Sequence, residues 1–423
     1  MVIQKNKNGF YAQSGGVTAV INASAYGVLN KARQHPGAIQ KMFAGQNGIL
    51  GALEENLIDT SLNSVEEISG LKTTPAGAFG SCRYKLGDLN KNVEKYRRIV
   101  EVFKAHNISY FFYNGGGDSQ DTTKNLAEFV KEQNLDIKCI GIPKTIDNDL
   151  PETDCCPGFG SVAKYVATSI LEASLDVSSM AATSTKVFIL EVMGRHAGWI
   201  ASSGGLAQDN ENDPPHIILF PEVPFHLHSF TKKVEETVGK FGFCSIIVSE
   251  GVKLENGELL TNARGTDAFG HAQLGGVAPL IAQVIEKELN LKNHWAIADY
   301  LQRSARHISS KTDVDQAEAV GRHAVELALE GKTSVMTTIE RITNQPYTWG
   351  LGSVDLEKVA NREKMLPSDF ISTDGFSITE KCREYLSPLI DGEAYPDYQK
   401  GIPRYTKLRR ELASKIVNYD FPI

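Results

Sequence analysis

The sequence predicts an α/β protein built from two parallel-sheet domains, and three observations carry that prediction. Short, almost continuously apolar runs such as residues 108–113 alternate with segments of helical period, and glycines stand at the junctions. Strand, glycine turn and helix in repeated succession is the pattern of parallel sheets covered on both faces. At 423 residues, 41% of them hydrophobic, the chain exceeds what one ordinary core accommodates.

The elements follow in order. Residues 9–13 read as a short strand, broken by Gly15-Gly16 before a helix over 20–33. Residues 108–113 form a strong strand, followed by Gly115-Gly116-Gly117 and a helix over 119–133, with Ser119 its candidate N-cap. Residues 137–142 give the next strand. Helical spacing resumes over 159–177, where Ala163, Ala167 and Ala173 suit close packing. Residues 186–192 read as strand and 196–207 as helix. The theme repeats with strand 217–220, helix 229–238, strand 243–249 ending at Glu250, and helix 277–289. A polar loop spans 208–215, and 368–375 is rich in turn formers. Gly401-Ile402-Pro403 precedes a surface helix expected over 407–417. The expected division is a first domain over 1–155 and a second over 156–305, with the chain crossing back near 300. Residues 306–423 complete the domains and add an extension.

Composition narrows the function. Formal net charge is −7. Nucleic-acid binders are usually basic overall, so no nucleic-acid partner is expected, and any phosphate site must be a local cluster. The six cysteines lie without a Cys-x-x-Cys pair or a Cys/His set at zinc spacing, which suits reduced thiols. The first eight residues carry no apolar signal core. No apolar run approaches the roughly 20 residues that span a bilayer. A cytoplasmic protein without a membrane partner is the expectation.

In open α/β sheets, ligands lie beyond the carboxyl ends of the strands, and three strand ends hold unusual residues. Ser14-Gly15-Gly16 opens a helix, where free N–H groups favour an anion; an ordinary strand–helix turn has the same form. Asn114-Gly115-Gly116-Gly117-Asp118-Ser119 suits either a capped tight turn or a phosphate or metal site. It is not G-x-G-x-x-G, and Gly331-Lys332-Thr333 lacks the upstream glycine of a P-loop. Pro143-Lys144-Thr145-Ile146-Asp147-Asn148-Asp149 sets two carboxylates two residues apart beside a lysine and a threonine. A hydroxyl that attacks a phosphoryl group needs a proton acceptor and nearby positive charge. This heptapeptide offers both.

Joined to Gly80-Ser81-Cys82-Arg83, Glu191-Val192-Met193-Gly194-Arg195, Ser249-Glu250-Gly251 and Leu301-Gln302-Arg303, these motifs resemble the phosphofructokinase family in identity and order, over about residues 9–305. The resemblance implies two Rossmann-like α/β/α domains, one for the phosphoryl donor and one for the sugar phosphate, with the active site in the cleft between them. Pyrophosphate-using members carry an aspartate where ATP users have the second-to-last glycine of Gly-Gly-Asp-Gly-Ser; here it is Asp118. They carry a lysine where ATP users have the glycine before Thr-Ile-Asp; here it is Lys144. An Asp118 carboxylate lies near the place of the α-phosphate of ATP, so charge and volume exclude the nucleotide, while pyrophosphate ends before that point. The implied reaction is reversible phosphoryl transfer from diphosphate to the 1-hydroxyl of fructose 6-phosphate.

Residue roles follow from the same resemblance. Asp147 is the general base, ionised at neutral pH as an ordinary carboxylate, with Lys144, Asp118 and Thr145 beside it. Gly15, Gly16, Arg83 and Gly117 contact diphosphate. Met193, Gly194, Arg195, Glu250, Tyr300 and Arg303 belong to the sugar-phosphate site, with Thr145 and Asp147 at the reacting end. Tyr300 stands where many ATP users have histidine. Lys186 and His294 align with two arginines that reach the 6-phosphate across a subunit interface, which implies a homodimer or homotetramer. ATP users hold magnesium with an aspartate that is Gly117 here; Mg²⁺ is expected on the diphosphate oxygens, helped by Asp118 or Asp149. The rival readings are an ATP-dependent phosphofructokinase, a broader kinase that also takes sedoheptulose 7-phosphate, and a non-catalytic sugar-phosphate sensor.

Overall fold

The apolar runs pair into two separate sheets. A computed structural model of the chain describes residues 7–210, 212–260, 276–417 and 419–422. In the first sheet, β1 (Asn8–Gln13), β4 (Ile108–Gly115) and β5 (Lys138–Pro143) lie side by side and parallel. β2 (Met42–Gly45) continues the parallel order beyond β1, and β3 (Leu57–Asp59) closes that edge antiparallel. The second sheet is wholly parallel. It runs in the order β7 (Ile217–Leu219), β8 (Cys244–Ser249), β6 (Val187–Val192), β9 (Asn293–Ile297).

Continuous apolarity has a direct cause in the first sheet. Successive side chains of a strand point to opposite faces, and both faces are covered. Tyr11, Phe112 and Ile140 pack into the core on one face, while Phe10, Phe111 and Cys139 pack into the core on the other. All six thiols are free and buried, and burial pushes each thiol upward in pKa.

The chain returns to its first sheet after leaving the second. Helix Lys311–Leu329 packs against helix Ile21–Arg33, and β10 (Val335–Asn344) then pairs in parallel with β5. β11 (Tyr347–Asp355) folds back on β10 as an antiparallel hairpin that forms the sheet's other edge. The sequence pattern predicts neither this hairpin nor helix Val93–Ala105. The two halves are stitched at one buried carboxylate. Asp313, at the start of helix Lys311–Leu329, accepts bonds of 2.8 and 2.9 Å from the N–H groups of Gly158 and Ser161, at the start of helix Phe159–Met180.

Three expectations need correction. No helix forms over 407–417. The tail is extended and borders β3, where Asp59 N–H donates to the Glu411 carbonyl at 3.0 Å and Ala413 N–H to the Leu57 carbonyl at 2.8 Å. Buried Glu55 then accepts from Ile416 N–H at 2.6 Å and contacts His106 at 2.7 Å. An open strand edge and a buried acceptor outcompete a weakly amphipathic helix. The helix expected over 196–207 begins only at Trp199, because Gly198 N–H is held by Glu222 at 2.8 Å and the preceding residues turn into the cleft. Ser119 is not an N-cap: the helix is Gly117–Glu132, capped by Gly116, and Ser119 lies in its first turn.

Candidate active site

Parallel strands deliver their carboxyl ends to one side, so β1, β4 and β5 bring their following residues together without further design. β1 is followed by Ser14, whose N–H donates to the Asn114 carbonyl at 2.9 Å. Gly115 of β4 pairs with Pro143 of β5, which aligns the glycine-rich turn with Lys144. The second sheet does the same with Met193 after β6, Glu250 after β8 and Asp299 to Arg303 after β9. The two sets of strand ends line one cleft of about 1500 Å³. That exceeds an ordinary single-ligand pocket of roughly 300–1,000 Å³ and suits two phosphorylated molecules at once.

Two glycines in the first turn answer to close approach. Gly15 has φ +72°, and a Cβ there would lie 3.4 Å from the Lys144 ammonium. A Cβ on Gly16 would lie 2.6 Å from an Arg303 nitrogen. The turn is fixed by Gly15 N–H to the Cys82 carbonyl at 2.9 Å and by the Ser81 hydroxyl to the Gly15 carbonyl at 2.7 Å. This brings Arg83 to the cleft beside Gly15.

Lys144 is a buried cation of the first wall. It is 4% exposed, and its ammonium donates to the Gly16 carbonyl at 2.7 Å. Burial lowers its pKa to about 8, against the pull of Asp147 and Asp149. Asp147 departs from the ordinary carboxylate expected of it. Burial raises its pKa well above the usual range, and the charges of Asp149 and Glu250 add to the rise. Its N–H donates to the Thr145 hydroxyl at 3.1 Å, which orders the turn. Between the two carboxylates, Asn148 takes φ +53°. Burial also raises Asp149, and one of its oxygens has no hydrogen-bond partner.

Asp118 faces the cleft from the first turn of helix Gly117–Glu132 and pairs with the Lys85 ammonium at 2.9 Å. Lys85 escaped sequence reasoning, although its position two residues past Arg83 in an extended stretch carried the signal. On the opposite wall, burial raises Glu250 to about 7, with Arg195 opposing. Glu250 N–H is fixed to the Val192 carbonyl at 2.9 Å. The Arg303 guanidinium stacks over Tyr300 at 3.8 Å. Gly194, φ +129°, accepts the Ser249 hydroxyl at 2.6 Å and shapes the turn between Met193 and Arg195. Glu191 serves a different end: its carboxylate accepts from Gly276 and Ala278 N–H at 2.9 and 2.8 Å, anchoring helix Val277–Leu289.

Two expected residues do not join this cleft within one chain. Lys186 precedes β6, at the end of the strand opposite the cleft, and donates to the Ala181 carbonyl. His294 sits early in β9 and is exposed. Conversely, Asn361, Arg362 and Glu363 line the cleft from a segment that carried no recognisable signal. Among the described residues, no group of three or more His, Cys, Asp or Glu side chains is arranged to hold a metal. No described helix is long and apolar enough to cross a membrane.

Comparisons with known proteins agree with this geometry. The family model described as phosphofructokinase matches residues 10–328. The chain is 59% identical to the pyrophosphate–fructose 6-phosphate 1-phosphotransferase of Halomonas elongata over 408 residues, 96% of this chain and 97% of that one. It is 57% identical to the protein of the same name from Methylococcus capsulatus, over 99% of each chain. The crystal structure of a pyrophosphate-dependent phosphofructokinase from Marinobacter aquaeolei superposes with a TM-score of 0.91 at 55% identity, covering 99% of this chain and 100% of that one.

Proposed function

The chain belongs to the phosphofructokinase family, and from that premise we infer that it transfers a phosphoryl group from diphosphate to the 1-hydroxyl of fructose 6-phosphate, giving fructose 1,6-bisphosphate. The observation that carries this reading is the buried Lys144 ammonium between the Gly16 carbonyl and the Asp147 turn, with Asp118 across the donor site.

The chemistry follows from the placement. Backbone at Gly15, Gly16 and Gly117 leaves room for phosphate oxygens, and Arg83 can fork two of them. Lys144 supplies positive charge to the transferred and leaving phosphates. Asp147 takes the proton of the 1-hydroxyl as its oxygen bonds to phosphorus, and the bridging P–O bond of diphosphate breaks to release phosphate. A raised pKa makes Asp147 a stronger base than a free carboxylate. Thr145 orders that turn. Met193, Gly194, Arg195 and Glu250 hold the sugar, and Arg303 with Tyr300 holds the 6-phosphate. Magnesium on the diphosphate would neutralise phosphoryl oxygens. The unpartnered oxygen of Asp149 fits it, and so small a protein ligand set suits an ion that keeps several waters. Asp118 is engaged by Lys85 and is the lesser candidate.

A homodimer or homotetramer is part of the proposal. Lys186 would act in the cleft of a second copy. β9 pairs only with β6 among the described residues, and Trp295 on it is 47% exposed, as are Leu171 and Leu175 at 39% and 62% on helix Phe159–Met180. The division into donor domain 1–155, sugar domain 156–305 and completing segment 306–423 belongs to the same reading, as does a glycolytic role in the cytoplasm.

The test is a donor comparison with purified protein, fructose 6-phosphate and magnesium. Turnover with diphosphate and little with ATP is expected. Equal rates with the two donors would refute the donor assignment.

A further inference from the structure

The segment that follows β11 crosses the mouth of the cleft and is tied to both walls. On the donor side, the Asn361 amide donates to Asp121 at 3.0 Å, and Asn361 takes φ +57°. Asp121 lies on the helix face of Asp118, one turn further along helix Gly117–Glu132. On the sugar side, Glu363 meets His196, the neighbour of Arg195, at 2.9 Å. Both ends are anchored in packed structure. Val359 is fully buried with Leu356, Leu150 and Met336. Lys364 N–H donates to the Asp149 carbonyl at 2.6 Å, its ammonium donates to the Thr153 and Asp154 carbonyls at 3.0 and 2.9 Å, and its carbonyl accepts the Trp199 indole N–H at 2.9 Å.

We propose that residues Asn361–Glu363 are a second donor-specificity element, which fills the ground beyond Asp118 where the nucleoside of a longer donor would lie. The proposal rests on the diphosphate reading and deepens it. Diphosphate held by Gly15, Arg83 and Lys144 ends before Asp118. A donor that continued past Asp118 along the helix would meet Asn361 at its bond to Asp121. Admission would require breaking that bond and the Glu363–His196 contact together. It would also bring the donor's α-phosphate and sugar between the carboxylates of Asp118 and Asp121 and that of Glu363. Arg362, exposed where it lines the cleft, is the cation of the strap. Replacing Asp118 alone removes charge but leaves the obstruction.

Three variants test this: Asp118→Gly, the strap change Asn361→Ala with Arg362→Ala and Glu363→Ala, and the two combined. kcat/KM is measured for diphosphate and ATP with fructose 6-phosphate as acceptor. The strap change alone is expected to keep diphosphate activity within about threefold of the parent, and the combined variant to exceed Asp118→Gly with ATP by about tenfold or more. Should the triple replacement melt early, Asn361→Ser with Glu363→Met removes the same two ties with less loss of volume, and the same excess is expected. Equal ATP activity for Asp118→Gly with and without the strap change would overturn the proposal. Failure of the underlying donor reading has a different mark, since the unmodified protein would then use ATP as well as diphosphate.

Discussion

A single burial difference decides how Lys144 behaves. Desolvation disfavours its charged form and brings its pKa to about 8. The ammonium is therefore intact below that value and lost as pH rises through it. The kcat/KM for diphosphate, which reports the free enzyme, should fall on the alkaline side near pH 8, whereas an exposed lysine would hold it to about 10. A flat profile from pH 7 to 9 would remove Lys144 from the donor site. Asp147 is displaced in the opposite sense by the same cause, so its neutral amide makes a clean probe. Asp147→Asn should cut kcat by about 10²–10⁴ while fructose 6-phosphate still binds with similar affinity by calorimetry. Full turnover by this variant would remove Asp147 as the base.

Elements far along the chain hold the Asp147 turn in its shape. Asn148 adopts a left-handed conformation between Asp147 and Asp149, and its two amide ends are both fixed. Its carbonyl oxygen accepts from Cys156 N–H at 3.0 Å, and its amide nitrogen donates to the Tyr385 hydroxyl at 3.0 Å. Tyr385 lies on helix Glu380–Leu386 and donates in turn to the Asp154 carbonyl. Arg341 of β10 stacks on the Tyr385 ring at 4.5 Å, and its Nε–H is shared between the two Asp154 carboxylate oxygens at 3.0 and 3.1 Å. Tyr385→Phe should cost about 1–3 kcal/mol in denaturant unfolding, because two buried polar groups lose their partner. It should also lower kcat more than it changes KM. Loss of stability with unchanged kcat would make the contact purely structural. Much at this scale was legible: strands β1, β4, β5, β6 and β8 appear within a residue or two of the sequence pattern. The hairpin β10–β11 was not legible because its outer half is exposed and lacks a clean alternation. The tail over 407–417 was misread because its partner, the edge of β3, lies some 350 residues earlier in the sequence.

Across the whole molecule, function depends on two sheets that aim their strand ends at one another. Neither wall has the full chemistry: the first holds Lys144, Asp147 and Arg83, and the second holds Arg195, Glu250 and Arg303. Lys186, behind the second sheet, has no place in this arrangement unless a second copy is present. Lys186→Ala should raise KM for fructose 6-phosphate with a smaller change in kcat, and light scattering of the unmodified protein should give at least a dimer mass. A monomeric, fully active protein would remove Lys186 from the site.

The sequence by itself determined the α/β class, the strand ends where chemistry gathers, and the identity of most cleft residues. These are local properties: apolar period, glycine punctuation, and short motifs whose residues act within a few positions of one another. Only the tertiary structure decided the pKa displacements of Lys144 and Asp147, the pairing of Lys85 with Asp118, and the place of residues 361–363 in the cleft. Each depends on what is packed nearby from distant parts of the chain, and desolvation and close approach leave no trace in the order of residues.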